Sequence, residues 1–329
     1  MIMTRTPLRI SIGGGGTDLP SYYREHGGGF VISAAINKYV YISVNAGFLP
    51  GYLLRYSKTE HAGSCDEIDH PLLREAIRYH GAPSPLEVVS VADVPAGTGL
   101  GSSGTFLVGL LHALYAMRRA PVSAEVLAQE AVEIEMNRLG NPVGKQDQYI
   151  AAYGGILCQE YLPDGAVQVT PLQMSEESLH ELRDSLMLFF VGSTRSAATL
   201  LEEQKERSEA NDAAMIDSLH FARALGREIR DVLEGGQVDA FGPLMHEHWL
   251  HKRARSCRMS TSHIDQLYDL ARAAGGATGG KLVGAGGSGF LLLHTRDRHR
   301  LRDTMLHAGL SEMDFSFDFD GSVVLLRNA

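Results

Sequence analysis

A run of small residues poses the first chemical question. In "DVPAGTGLGSSGTFLVGLLHAL", Asp93 to Leu114, Gly97, Gly99, Gly101 and Gly104 sit with Ser102 and Ser103 ahead of an apolar, helix-patterned segment. Glycine fits where φ is positive or where backbone must approach a ligand closely. A helix starting here aims its free N–H groups and the positive end of its dipole back at the loop. That combination is an anion site suited to phosphate, to which the two serines can add hydroxyls for phosphate or for Mg2+. The same residues equally suit a plain glycine-rich strand-to-helix connection with a serine cap. Two other phosphate loops are excluded. No Lys–Ser/Thr pair follows the glycines, and their spacing is not G-x-G-x-x-G.

The elements that would position this loop can be read on both sides of it. "RISI" (Arg9 to Ile12) alternates as a half-buried strand does, and "GGFVISAAI" and "KYVYISVNA" read as two more strands. "PLLREAIRYHG" (Pro71 to Gly81) is a short helix, and "PLEVVSVADVP" (Pro85 to Pro95) a strand running into the loop. Ser103 to Met117 then forms an apolar helix. Ser123 to Pro142 forms a second, with Ser123 as N-cap and Gly140 and Pro142 as its stop. Beyond it, "LMLFFVGSTRSA" is a buried strand and turn, and Thr199 to Gly235 is polar and helix-forming. "TSHIDQLYDLARAAG" is a helix, "GGKLVGAGGSGFLLLH" a glycine turn before a strand, and "SVVLLR" the last strand. The pattern predicts an α+β protein of two packed lobes, residues 1–192 and 193–329, with the seam near Gly192.

Composition narrows the function classes. A formal charge of −9 disfavours a general nucleic-acid binder, since phosphate backbones attract Lys and Arg. Cys65, Cys158 and Cys257 are far apart and form no CxxC pair, which argues against a zinc ribbon or a disulfide framework. No apolar run is long enough to span a bilayer, and the N-terminal segment lacks the apolar stretch of a signal peptide. The expectation is a cytoplasmic protein with a small-molecule substrate and no nucleic-acid or membrane partner; a homodimer is the one assembly kept in view.

Three segments in order, "PLRISIGGGGTDLPSYY" (Pro7 to Tyr23), the loop at Pro95 to Gly104 and "KLVGAGGSGFLLL" (Lys281 to Leu293), together resemble the GHMP kinase superfamily. Pro95, Gly99, Leu100, Gly101, Ser102 and Ser103 match its P-x-x-x-G-L-G-S-S phosphate loop. The resemblance covers nearly the whole chain. It implies a two-lobed fold, with a ribosomal-protein-like N-terminal lobe and a ferredoxin-like C-terminal lobe, and it implies ATP and Mg2+. Within the superfamily the chain most resembles the heptose 7-phosphate kinases, through "TPLRIS", "GGGTD", "SAAINKYVYISV", "GKQDQYIAAYGG" and "GGKLVGAGGSGFLL". The kinase part of L-fucokinases shares much of that pattern. The implied reaction is phosphorylation of an anomeric hydroxyl, giving a 1,7-bisphosphate for nucleotide-activated heptose synthesis; a sugar or nucleotide sensor on the same scaffold is the alternative of another class.

The resemblance also implies roles. Asp147, in "GNPVGKQDQYIAAYGG", matches the catalytic Asp that orients the sugar hydroxyl and can take its proton. Arg9 matches the basic residue near that Asp; alone it reads equally as an Arg on the wet face of a strand. Glu135 is the best match for the acidic residue that binds Mg2+ with a loop serine, Ser103 or Ser102, and one carboxylate suffices for a cation that keeps its waters. Asp18, with Thr17, matches the sugar-binding Thr–Asp. Gly15 and Gly16 stand where galactokinases carry Glu and His, leaving room for a larger or already phosphorylated sugar. Gly97 and Gly104 complete the nucleotide loop, while Gly284, Gly286, Gly287 and Gly289 form the third motif, read as mainly structural support beside substrate. A substrate phosphate needs cationic partners, for which Lys38, Arg195, Lys252 and Arg253 are candidates. One departure is visible: Lys145 and Gln146 separate Gly144 from Asp147, where mevalonate-kinase-type members have one residue. "HEHWLHKR" offers no i, i+4 histidine pair, so His246, His248 and His251 read as packing or surface residues rather than zinc ligands.

Overall fold

A computed structural model describes residues 1–192, 198–256 and 258–327. Arg195 and Cys257 therefore lie outside the described residues. Its strands are β1 (Ile2–Gly14), β2 (Gly29–Ala46), β3 (Tyr52–Arg55), β4 (Thr59–Ala62), β5 (Leu86–Ala92) and β6 (Ile156–Tyr161). They continue as β7 (Val167–Pro171), β8 (Leu186–Phe190), β9 (Ala277–Leu282), β10 (Phe290–Thr295), β11 (Ser311–Met313) and β12 (Val323–Arg327). The larger sheet runs β12-β1-β2-β5-β3-β4, with β6 paired to β2 and β7 to β6; the smaller runs β11-β8-β10-β9. The seam expected at 192 falls just after β8, which already belongs to the smaller sheet, and β12 returns to the larger one.

The two strands expected around Asn37 are one. β2 is unbroken over Gly29–Ala46; its first half pairs with β6 and its second with β5. The polar Asn37–Lys38 step is absorbed by a register shift against β1 between Pro7 and Leu8, so apolar side chains on either side still face inward. The main core lies between this sheet and the Ser102–Met117 helix, with Ile10, Ile32, Ile42, Leu107 and Leu111 fully buried. Gly109 lets that helix approach β1: a Cβ there would sit 2.8 Å from Thr6 Oγ1.

The single helix expected from Ser123 to Pro142 changes character midway. Ser123 caps an α-helix (Ala124–Val132), accepting from Val126 N. Glu133–Arg138 then widens into a π-helical turn, closed by Leu139 N donating to Ile134 O at 3.1 Å. Such turns commonly mark functional positions. The polar stretch after Thr199 is two helices, Ala198–Glu209 and Ala213–Glu234, divided where Asn211 takes φ +52 and Asp212 caps the second. A second core surrounds Trp249 and Tyr268, between the smaller sheet and the Val238–Ala254 helix. That helix lies close against β9 because Gly242 and Gly279 meet with no side chain between them; a Cβ on Gly279 would reach to 1.8 Å from Gly242 O. No described helix is long and apolar enough to cross a membrane.

Candidate active site

The three motifs converge on one cavity of about 820 Å³. The loop after β5 enters it, turns at Gly97, Gly99 and Gly101 with φ of +78, +81 and +80, and starts the Ser102–Met117 helix. Gly101, the N-cap, has no side chain to satisfy the first N–H groups, so they are left for a ligand. Pro95, Gly97, Gly99, Gly101, Ser102 and Ser103 all line the cavity; Leu100 is buried behind it and Gly104 packs against Asp147. The third motif braces this loop from the other side. A Cβ on Gly284 would lie 2.6 Å from Gly99 Cα, and one on Gly289 would lie 2.2 Å from Thr98 O, so both glycines are needed for backbone-to-backbone contact. Gly286 faces the cavity. Gly287 instead donates its N–H to Met259 O at 2.9 Å.

Asp147 stands in the first turn of the Gln146–Tyr153 helix, across from the loop. Arg9 Nε and Nη2 both donate to Asp147 Oδ1, at 2.8 and 2.7 Å, and Arg9 Nη1 donates to Gly99 O at 2.5 Å. One guanidinium thus ties the carboxylate to the phosphate loop. Among the described residues Asp147 Oδ2 takes no hydrogen bond, and a quarter of the side chain is exposed, so this oxygen remains available. The second residue between Gly144 and Asp147 is accommodated by burying Gln146. Its Nε2 donates to Ser33 Oγ at 2.7 Å and its N–H to Asp18 Oδ2 at 3.3 Å, while Lys145 turns outward to Gly165 O.

Asp18 is buried at the cavity wall. Burial raises its pKa, and the Asp147 charge adds to the shift. Gly144 makes the space it occupies: a Cβ there would lie 1.7 Å from Asp18 Oδ2. Thr17 does not line the cavity; its hydroxyl bonds to the backbone of Phe30, holding the turn that carries Asp18. Gly15 and Gly16 line it with φ of +120 and +82.

Glu135 is carried inward by the π-helical turn and is 1% exposed. It sits behind the cavity wall, accepting from Gln148 Nε2 at 2.7 Å and from the Ser103 hydroxyl; burial raises its pKa. The donors fit a hard cation that keeps most of its waters. Ser102 Oγ is buried with no hydrogen-bond partner among the described residues, Ser103 links the cavity to Glu135, and the helix start supplies N–H groups for phosphate. Ser102, Ser103 and Glu135 are the residues that would hold Mg2+, whose bound charge would neutralise a triphosphate.

The far end of the cavity is apolar and aromatic. Tyr56 meets His70 edge-on with centroids 4.7 Å apart, and His70 stacks on Phe106 at 5.3 Å, beside Val40 and Leu72. These residues carry no motif: Tyr56 sits in the β3–β4 turn, His70 caps the Pro71–His80 helix, and Phe106 lies on the helix that the loop opens. The end near Gly16 is cationic. Lys252, Arg255 and Lys281 line it, together with Gln204 and His248. Of the phosphate partners considered from sequence that lie among the described residues, Lys252 alone is there. Lys38 and Arg253 do not line the cavity. The sequence carried a signal for the rest: His248, Lys252 and Arg255 recur at i, i+4 and i+7, one face of one helix.

The arrangement is one of uncapped N–H groups at a helix start, a carboxylate held by a cation, and a polar cavity wall. Family comparisons agree with it. The description "GHMP kinases N terminal domain" matches residues 71–155, and "GHMP kinases C terminal" matches residues 222–309. The chain is a GHMP kinase. It is an ATP-dependent phosphotransferase. The GHMP kinase is 27% identical to the D-glycero-alpha-D-manno-heptose 7-phosphate kinase of Campylobacter jejuni, with 97% of each chain covered. It is 26% identical to the bifunctional fucokinase/GDP-fucose pyrophosphorylase of Arabidopsis thaliana, covering 90% of this chain and 30% of that longer one. In structure it is similar to a D-glycero-D-manno-heptose 1-phosphate kinase from Bacteroides thetaiotaomicron, with a TM-score of 0.79, 24% identity and 100% of both chains covered. That likeness shows the shared fold.

Proposed function

We propose that this GHMP sugar kinase transfers the γ-phosphoryl group of ATP to the anomeric hydroxyl of D-glycero-D-manno-heptose 7-phosphate, giving the 1,7-bisphosphate. The observation that carries the reading is the Arg9–Asp147 pair, which holds one carboxylate oxygen against the phosphate loop and leaves the other open. In this reading the first N–H groups of the Ser102–Met117 helix receive the triphosphate, and the aromatic end of the cavity receives the base. Asp18 and the N–H groups of Gly15 and Gly16 bind the sugar. The sugar oxygen attacks the γ-phosphorus, the bond to the β–γ bridging oxygen breaks, and ADP leaves. Asp147 Oδ2 accepts the hydroxyl proton, and Arg9 offsets the charge that develops beside it. An anomeric hydroxyl is more acidic than an ordinary alcohol, so a carboxylate is an adequate base.

The Campylobacter relative's name supports the heptose 7-phosphate, and the missing side chains at Gly15 and Gly16 leave room for a sugar of that size. The product would feed nucleotide-activated heptose synthesis in the cytoplasm. An L-fucokinase is the second reading, favoured by the Arabidopsis relative. Incubation with Mg-ATP and heptose 7-phosphate, L-fucose, galactose or mannose, followed by phosphorus NMR, separates them. A new anomeric phosphate on the heptose 7-phosphate alone is expected. Transfer to fucose would keep the mechanism and replace the substrate; transfer to none would overturn both.

A further inference from the structure

We propose that Arg255 and Lys281, with Lys252 between them and the phosphate loop, form the seat for a phosphate group that the sugar substrate already carries. The inference rests on the sugar-kinase reading of the same cavity and adds to it a second anion site, separate from the one at the helix start.

The argument begins with burial. Lys252, Arg255 and Lys281 are 8%, 7% and 1% exposed, yet all three line the cavity. Burying a cation is costly unless an anion pairs with it. Among the described residues no carboxylate lies within salt-bridge reach of any of them, although Arg9, in the same cavity, has Asp147. Lys252 Nζ donates to two carbonyls, Leu282 O at 2.9 Å and Gly284 O at 2.5 Å. Arg255 is held in place by neutral groups, Nε donating to Ser218 Oγ at 3.1 Å and Nη1 to Gln204 Oε1 at 3.4 Å. The Lys281 side chain makes no hydrogen bond to any described residue; its backbone is paired in the sheet.

The cost is visible in the ionisation of the group. Burial pulls Lys252 down to about 7 and Arg255 down to about 10, and Lys281 is driven well below its usual value by burial and by its cationic neighbours. The lowered values favour shedding protons in the ligand-free protein, and an anion bound among the three would draw those protons back. His248 fits the same picture: fully buried between them and the Gly14 backbone, it is held neutral, so it adds a donor without a fourth charge.

Position favours the substrate's phosphate over the nucleotide's. Arg255 Nη1 lies beside Gly16, where a Cβ would come within 2.8 Å of it, and Gln204 Nε2 donates to Gly16 O at 2.7 Å. Gly16 is two residues from Asp18, the proposed sugar contact. The glycine loop at 14–16 thus lies between the sugar and the guanidinium, and the absence of side chains there opens the path. The triphosphate has its own N–H groups at Gly101–Ser103, where Gly101 packs against Arg9 and Asp147.

The test compares D-glycero-D-manno-heptose 7-phosphate with the same heptose lacking phosphate, both titrated in the presence of a saturating non-hydrolysable ATP analogue that fills the loop. Binding is read by calorimetry, and turnover by coupled assay with Mg-ATP in place of the analogue. The wild type is expected to favour the phosphorylated sugar. In Arg255→Met and in Lys281→Met that preference falls by about tenfold to a hundredfold, the worth of one hydrogen bond to a charged group. Arg255→Lys recovers part of it. Lys281→Met melts no lower than wild type, because it removes a buried amine that pairs with no carboxylate among the described residues. An unchanged preference with weaker binding of the ATP analogue would reassign the cluster to the nucleotide and overturn the proposal, as would equal binding of the two heptoses by wild type. A lower melting point with unchanged preference would make Lys281 a packing residue. Tight, phosphate-dependent binding without transfer would keep the seat and refute the kinase reading for this sugar; binding of neither heptose would refute both.

Discussion

Gly144→Ala tests the sugar side of the cavity through a single methyl group. Gly144 has ordinary backbone torsions, so alanine is tolerated by the chain itself. Its Cβ would stand 1.7 Å from Asp18 Oδ2 and 2.3 Å from Asp18 Cγ, where ordinary contact begins at 3.4 Å. The carboxylate oxygen must therefore retreat by about 1.7 Å. Asp18 is 7% exposed and cannot simply swing into solvent, and the move also breaks its bond from Gln146 N. Misplacing a positioning group by about 1 Å costs on the order of 10²-fold. The expected outcome is a fall of about 10²-fold in kcat/KM for the sugar, or about 2.7 kcal/mol of transition-state binding, with KM for ATP changed by less than about threefold. Because the effect runs through Asp18, the double variant Asp18→Ala/Gly144→Ala should be no worse than Asp18→Ala alone. Sugar kinetics indistinguishable from wild type would refute the placing of Asp18 against the sugar. A double variant showing both losses in full would refute the route through Asp18.

Three further outcomes follow from the same geometry. Gly99→Ala places a Cβ 2.7 Å from Val283 O at φ +81; denaturant unfolding should show a loss of about 2 kcal/mol or more, and ATP binding should weaken with it. Lys252 has a folded pKa of about 7 against an ordinary 10.5. Between those values the unfolded chain holds a proton that the folded one has released, so stability of the ligand-free protein should rise with pH across that window. Below about 7 both forms are protonated and the burial penalty stays in full; Lys252→Met should flatten the rise, as read from denaturation midpoints at successive pH. Glu135→Gln should raise the Mg2+ concentration for half-maximal activity by about tenfold, since the remaining ligands are neutral; an unchanged Mg2+ titration would remove Glu135 from the metal site.

How much of this was legible in the residues differs by motif. The phosphate loop was, because its glycines are required by local backbone conformation, and local requirements are written in adjacent residues. Asp147 and Arg9 were legible only as a matched pattern, since the ion pair joins residues 138 positions apart. The π-helical turn at Glu133–Arg138 was not, because a segment that widens by one residue keeps the composition of a helix. The join of β2 across Asn37 was not legible either, because Asn37 and Lys38 are skipped in the pairing with β1 while the strand runs on, and a polar pair reads locally as a break. Lys281 was read as part of a glycine motif rather than as a cation. The stripe of His248, Lys252 and Arg255 is present in the sequence, but it overlaps the histidine-rich "HEHWLHKR" and matches none of the three motifs. The aromatic end of the cavity carried no signal at all: Tyr56, His70 and Phe106 come from three elements that only the tertiary fold brings together.

The most direct test of the account is the single-turnover rate of Asp147→Asn on Mg-ATP and heptose 7-phosphate, measured with the ATP dissociation constant of the same variant. Asparagine keeps the size of the side chain and an oxygen for Arg9 but cannot accept the hydroxyl proton. The account predicts a phosphoryl-transfer rate lower by about 10²- to 10⁴-fold with ATP affinity within about threefold of wild type. A variant that transfers the phosphoryl group at near the wild-type rate would contradict the role given to Asp147.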